Sequence, residues 1–205
     1  MLDVDGTIVI SEKNALPTKK VIEAVHKASK LGIHVCLATG RPYASVKEIV
    51  KILKLTGLLS LLNGSQIVNA STGEVLVEKN LTIESLNKLL SIFNREKIKF
   101  LINDNSIDYD TPKNYKPDKP IAICTYGINK DLIKKLENEF SDIPDIDYHT
   151  FPAWESLGGG LGLAITHINA TKQHGILEVA RILGINTHEI IGIGDGYNDF
   201  PMMMA

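Results

Sequence analysis

Asp3 and Asp5 stand two residues apart in the run Asp3-Val4-Asp5-Gly6-Thr7, with a glycine directly after them for a sharp turn. A second acidic group, Gly194-Asp195-Gly196-Tyr197-Asn198-Asp199, follows the apolar run Ile190 to Ile193. If both runs end at the same edge of a parallel sheet, where ligands bind in open α/β folds, four carboxylates converge. Such a group repels itself unless a cation sits within it, and an all-oxygen donor set suits Mg2+ better than softer metals. Asp and Gly are also common turn residues, so either motif alone reads equally well as a solvated turn. A calcium-binding EF-hand loop is excluded: Gly6 comes too early after Asp3, and no glutamate occupies the twelfth position.

Two further segments point to phosphoryl chemistry. Thr39-Gly40-Arg41 follows the apolar run Ile33 to Ala38, bringing a hydroxyl and free backbone N–H groups suited to phosphoryl oxygens. Lys172 precedes the amphipathic stretch Gly175 to Leu183, which leads to the second acidic group. Transfer of a dianionic phosphoryl group needs a metal and a lysine to offset charge, a donor hydroxyl, and a nucleophile held in line. Individually Thr39 reads as a helix cap and Lys172 as a surface lysine. Their joint placement at the ends of successive strands is what argues for a site.

The elements that must position these residues alternate between helix and strand in the first half of the chain, the pattern of a parallel sheet covered by helices. Thr18 caps a helix with Val21, Ile22, Val25, Ala28 and Leu31 at helical spacing, ended by Gly32. Ile33 to Ala38 reads as a buried strand. Pro42 opens a helix carrying Val46, Ile49, Val50 and Leu53, and the apolar run Leu58 to Leu62 ends at Asn63-Gly64. From about residue 65 the texture changes to short strands at Glu74 to Val77, Lys99 to Ile102, Ile121 to Tyr126 and Leu161 to Thr166. Helices are predicted at Ile83 to Arg95 and Lys130 to Phe140, and Ile190 to Ile193 reads as a buried strand. The expected architecture is α/β: a Rossmann-like, doubly wound parallel-sheet core from residues 1–64 and 168–205, with residues 65–167 inserted as a smaller α/β domain.

These four segments, in this order, resemble the motifs of the haloacid dehalogenase superfamily: DVDGT at 3–7, ATGR at 38–41, Lys172 in NATKQHGI, and GDGYND at 194–199. The long insertion between Thr39 and Lys172 is similar to the α/β cap of the Cof-type (subclass IIB) sugar-phosphatase branch, in which an Asn-Gly pair matches Asn63-Gly64. The resemblance implies that Asp3 is a nucleophile forming an aspartyl-phosphate and that Asp5 is the acid and base. It implies Mg2+ bound by Asp3, the Asp5 backbone carbonyl and Asp195, with Asp199 as ligand or close partner. Thr39 and Lys172 would bind phosphoryl oxygens, Asn198 would orient Lys172 or the phosphate, and Gly6, Gly40, Arg41, Asn63 and Gly64 would line the substrate site. The cap would close over the site, hinged near residues 64–66 and 166–170, and select the leaving group. A phosphomutase shares the fold and much of the site. A catalytically silent binding domain is a reading from another class, and a response-regulator receiver has no place for the insertion. Only Met1 and Leu2 precede Asp3, and Ala205 falls inside an expected helix, so by the resemblance both ends are expected to be truncated.

Composition bounds the partners. The 205 residues are 44% apolar, with 22 basic and 24 acidic side chains interspersed and no basic block, which argues against a nucleic-acid partner. No apolar run is long enough to cross a bilayer and nothing reads as a signal peptide, so a cytoplasmic protein without membrane association is expected, a monomer or weak homodimer acting on a small phosphate ester. Cys36 and Cys124 lie in apolar stretches and read as buried reduced thiols. Trp154, Tyr148 and His149 read as core residues of the inserted domain before sugar contacts. Gly158-Gly159-Gly160-Leu161-Gly162 precedes a strand-like run, so it reads as a flexible turn and not a phosphate loop.

Overall fold

The computed structural model describes residues 1–104, 107–110, 118–155 and 158–205, with only the backbone for 107–110. The chain divides into two compact units, Met1–Glu78 with Ala170–Ala205, and Lys79–Asn169.

The first unit is a helix-covered sheet whose hydrophobic pattern explains its layers. Leu2 bridges in parallel to Leu37 on one side and Ile193 on the other. β1 (Leu37–Ala38) pairs in parallel with β2 (Leu58–Leu61), and β3 (Gln66–Asn69) and β4 (Val75–Glu78) extend the sheet antiparallel. Successive strand residues face opposite sides. Accordingly Leu37, Leu59 and Leu61 pack with Val25 of α1 (Lys19–Lys30) and with Val46, Ile49 and Leu53 of α2 (Tyr43–Leu53). Cys36, Ala38 and Leu58 pack in a separate cluster with Ile176 and Val179 of α5 (Lys172–Leu183) and Met202 of α6 (Phe200–Met203). Helices thus cover both faces, the doubly wound arrangement. α5 lies very close to the sheet: a Cβ on Gly175 would fall 2.1 Å from Ser60 Oγ.

The second unit is an antiparallel sheet with strand order β6-β5-β7-β9-β8, formed by β5 (Phe100–Asp104), β6 (Ile107–Asp110), β7 (Pro120–Ile128), β8 (Ile146–Pro152) and β9 (Leu161–His167). α3 (Ile83–Arg95) is capped by Thr82, whose hydroxyl accepts from Ser85 N–H, and α4 (Lys130–Phe140) by Asn129, whose side chain accepts from Leu132 N–H. Their apolar stripes, including Leu86, Leu89, Phe93, Leu136 and Phe140, pack on Ile102, Ile123, Leu163 and Ile165. Tyr148 meets Phe140 edge to face at 5.3 Å. The glycines at 158–160 all have positive φ, within the connection between β8 and β9.

Three expectations need correction. Residues 65–78, assigned by their broken pattern to the insertion, belong to the first unit, because β3 pairs back on β2 with Leu61 opposite Gln66 and Leu58 opposite Asn69. Ile190 to Ile193 is not a buried strand: Ile191 is 77% and Ile193 49% exposed, and the segment is joined to Met1–Asp3 by the bridge from Ile193 to Leu2 and a bond from the Met1 amino group to Ile191 O (2.9 Å), with no further strand beside it among the described residues. The strand read over Ile33 to Ala38 contracts to Leu37–Ala38, with Ile33 exposed. Cys36 is buried as expected, whereas Cys124 is only half-buried. No helix among the described residues is long and apolar enough to cross a membrane.

Candidate active site

The site is assembled where the central segments of the first unit end. Met1–Asp3 is held between its neighbours by backbone bonds from Leu2 N to Cys36 O (2.8 Å) and Asp3 N to Ile193 O (2.9 Å), so Asp3 emerges at the ends of three adjoining parallel segments. The chain then reverses at Gly6, where φ is +81° and a Cβ would lie 2.2 Å from Asp195 Oδ2. Only a glycine satisfies both conditions, which lets the second acidic loop approach the first. Thr7, whose side chain was given no role from the sequence, donates its hydroxyl to Asp195 Oδ1 (2.7 Å) and lies 3.5 Å from Asp3 Oδ2.

Lys172 is the first residue of α5, after the capping residue Thr171. Its buried ammonium donates to Asp3 Oδ1 (2.5 Å) and Asp199 Oδ1 (2.6 Å). Asp199 in turn accepts on Oδ2 from the backbone N–H groups of Asp195 and Gly196, at 3.1 and 2.9 Å, so it ties the second acidic loop to the lysine. Carboxylate oxygens of Asp3, Asp195 and Asp199 lie within 4.8 Å of one another. Burial pushes the Asp3 carboxyl above its ordinary range, and the nearby Lys172 ammonium recovers only part of that shift.

The second motif follows β1. Thr39 is buried and its Oγ1 accepts from Arg41 N–H (3.2 Å), while its carbonyl accepts from Asn63 N–H (2.9 Å). Leu62 and Asn63 both adopt left-handed backbone, a cramped conformation that Asn tolerates and Leu rarely does. That turn sets the Asn63 amide beside Gly40 and under Asn198, whose Nδ2 donates to Asn63 Oδ1 at 3.1 Å. Gly64 allows the close approach of Thr171, whose carbonyl oxygen would be 2.2 Å from a Cβ at that position.

The structure therefore brings Asp3, Asp195, Asp199 and Lys172 together directly. Thr39, Gly40, Asn63, Gly64 and Asn198 adjoin one another through the turn after β2. The Asp5 side chain is separate from the three-acid group: its carboxylate is paired with Arg41, by Nε to Oδ2 at 2.8 Å and Nη2 to Oδ1 at 2.6 Å. Arg41, expected from its place after Thr39-Gly40 to meet substrate, is buried and also donates to the carbonyls of Glu12 and Lys13. Nothing in the local pattern announces this pairing, since Asp5 and Arg41 are far apart in sequence and main-chain acceptors carry no residue signature.

A family profile described as haloacid dehalogenase-like hydrolase matches residues 1–110 and 103–205. A Streptococcus pyogenes protein provisionally named a phosphatase is 27% identical over 98% of this chain and 82% of its own length. A phosphoglycolate phosphatase from Methanospirillum hungatei is 25% identical over 99% of this chain and 78% of its own length. Among solved structures, a haloacid dehalogenase-like hydrolase from B. subtilis superposes with a TM-score of 0.83 at 16% identity, covering 99% of this chain and 86% of that one. The subclass IIB sugar phosphatase BT4131 gives 0.79 at 21% identity, covering 98% and 82%. With the profile spanning the chain and the solved structures sharing its fold, the protein belongs to the haloacid dehalogenase-like hydrolase family.

Proposed function

We propose that this hydrolase is a Mg2+-dependent phosphatase of small phosphorylated metabolites, sugar phosphates foremost, acting through an aspartyl-phosphate on Asp3. The observation that carries the reading is the buried Asp3, gripped by Lys172 and grouped with Asp195 and Asp199, while Asp5 is held outside that group. The names of the phosphoglycolate phosphatase and of the sugar phosphatase supply the substrate class.

The donor set fits a hard divalent cation. The Lys172 ammonium is bonded to Asp3 and Asp199 but not to Asp195, so the group with all three carboxylates charged would leave two negative charges to offset, and all the donors are oxygen. Asp3, Asp195 and Asp199 would hold Mg2+, which when bound supplies electrostatic stabilisation of the charge on the transferring phosphoryl oxygens. Asp3 attacks phosphorus through a carboxylate oxygen, the bond from phosphorus to the leaving oxygen breaks, and the Asp5 carboxyl gives that oxygen its proton. Water then attacks phosphorus, returns a proton to Asp5, and the bond from Asp3 to phosphorus breaks to release inorganic phosphate. Lys172 offsets charge on Asp3 and on the phosphoryl group, and the Thr39 hydroxyl donates to a phosphoryl oxygen.

Phosphate release from a panel of sugar phosphates and from 4-nitrophenyl phosphate, with Mg2+ or EDTA, tests this. We expect turnover that EDTA removes and that Asp3→Asn lowers by on the order of 10^4-fold or more, as loss of a nucleophile does. Turnover that survives Asp3→Asn sinks the reading.

A further inference from the structure

Asp5 and Arg41 form a two-pronged ion pair in the first unit. Both carboxylate oxygens are engaged by the guanidinium fork. The Arg41 side chain is 4% exposed and the Asp5 side chain 27%, so the arginine is the enclosed partner and the carboxyl the accessible one. The guanidinium is fixed from its other side as well, because Nη2 donates to Glu12 O at 2.9 Å and Nη1 to Lys13 O at 3.2 Å. A planar fork held by acceptors on two sides cannot swing, and it transmits that rigidity to the carboxyl it grips. A carboxylate has about four lone-pair sites, of which this pairing uses two, so its outward side stays open to a further hydrogen-bonding partner.

The alternative for Asp5 is evident from the same geometry. It lies two residues from Asp3, beside a group of three carboxylates that leaves two negative charges to offset. A free Asp5 side chain would be drawn to the same cation as a further ligand, where its lone pairs would serve the metal and not the leaving group. We propose that Arg41 is a positioning residue for Asp5: it holds the carboxyl apart from the acidic cluster and in one orientation, so that Asp5 serves the leaving oxygen. This inference rests on the phosphatase reading above.

The proposal has a signature that a merely structural arginine lacks. A sugar or other alkyl leaving oxygen is strongly basic and needs its proton as the bond to phosphorus breaks, whereas 4-nitrophenolate leaves without one. Mispositioned Asp5 therefore harms the first ester and largely spares the second in kcat/KM, which reports steps through the first phosphoryl transfer. Lysine keeps the charge of Arg41 but not the fork.

The test measures kcat/KM for the best sugar phosphate of the panel and for 4-nitrophenyl phosphate, at saturating Mg2+, in wild type, Arg41→Lys, Asp5→Asn and the double variant. We expect Arg41→Lys to lose roughly 10- to 100-fold on the sugar phosphate, within the range of general acid–base assistance, and no more than about threefold on the aryl ester. In the Asp5→Asn background the same change should have no further effect. Equal losses on both esters, no loss on either, or a full additional loss in the Asp5→Asn background would overturn the proposal. If circular dichroism shows that Arg41→Lys does not fold, Asp5→Glu decides, since it lengthens the carboxyl arm by one methylene at the more exposed partner. Selective loss on the sugar phosphate supports positioning, and wild-type behaviour on both esters refutes it. Wild-type protein that hydrolyses neither ester refutes the phosphatase reading and this inference together, whereas turnover with no ester-selective loss refutes the Arg41 role alone.

Discussion

The first unit buries Asp3, Arg41, Lys172 and Asp199 and turns its backbone left-handed at Leu62 and Asn63, whereas the main core of the second is a continuous apolar cluster running from Leu81 to Ile165. The second unit's β7, β8 and β9 run for nine, seven and seven residues, while the first unit holds Asp3 by a two-sided bridge and Thr39 by a two-residue strand. Regular antiparallel pairing and an apolar interior are what a sheet with two helices on one face needs in order to fold. Buried charges and a left-handed turn are unfavourable alone and persist only where neighbours over-determine them, as Lys172 does for two carboxylates and Asn198 for Asn63. The contrast teaches that both units rest on burial of apolar surface and that the stability of the first is in addition coupled to charge balance among Asp3, Lys172 and Asp199.

The strongest way to break that comparison is to remove an anchor from each unit. Lys172→Met leaves Asp3 and Asp199 buried without their cation and should destabilise the metal-free protein by about 3–5 kcal/mol in urea unfolding. Phe93→Ala, which removes a buried ring packed 5.4 Å from Phe100 and 6.3 Å from Phe140, should lose a similar amount, about 3–5 kcal/mol. The two losses differ in their remedy. Added Mg2+ should stabilise Lys172→Met more than it stabilises wild type, and Phe93→Ala only as much as wild type; equal increments in all three would show that the charge ledger does not govern the first unit.

A smaller effect sharpens the electrostatic half. Because burial raises the Asp3 pKa above its unfolded value, the protonated carboxyl favours the folded state below the unfolded pKa, and that contribution to stability is lost as pH rises through the folded-state titration. Mg2+ binds the ionised form and offsets the loss. The rise in Tm on adding Mg2+ should therefore be larger at about pH 8 than at about pH 5, where protons compete for the ligands. A larger rise at the lower pH would reverse the assignment. The least effect is expected at Arg95, whose exposed side chain pairs with Glu96 and Glu139 on the surface of the second unit. Solvent screens such pairs, so Arg95→Ala should leave the thermal midpoint within measurement error.

Local signals carried much of this architecture. The helical stretches read at Ile83 to Arg95 and Lys130 to Phe140 coincide with α3 and α4, because helix formation depends on neighbours within one turn; their caps, Thr82 and Asn129, emerged only in the structure. β3 and β8 were not legible. Gln66-Ile67-Val68-Asn69 is short and polar at both ends, and Ile146 to Pro152 mixes charged, aromatic and β-branched residues, so each becomes a strand through a partner found elsewhere, β2 and β9 respectively. The same holds for Ile190 to Ile193: an apolar run announces burial only if something packs over it.

For the site, residue type and order alone selected Asp3, Asp5, Thr39, Lys172, Asp195 and Asp199, since hard-cation and phosphoryl chemistry demands carboxylates, a hydroxyl and an ammonium, and parallel topology brings segment ends together. How those groups are partnered was decided in three dimensions. Lys172 bridges Asp3 and Asp199, Thr7 reaches Asp195, and Arg41 turns from the expected substrate position to grip Asp5 and two backbone carbonyls. Ion pairs and hydrogen bonds are set by distance and direction between side chains that the folded backbone brings together, whereas chemical identity is carried by each residue wherever the chain places it.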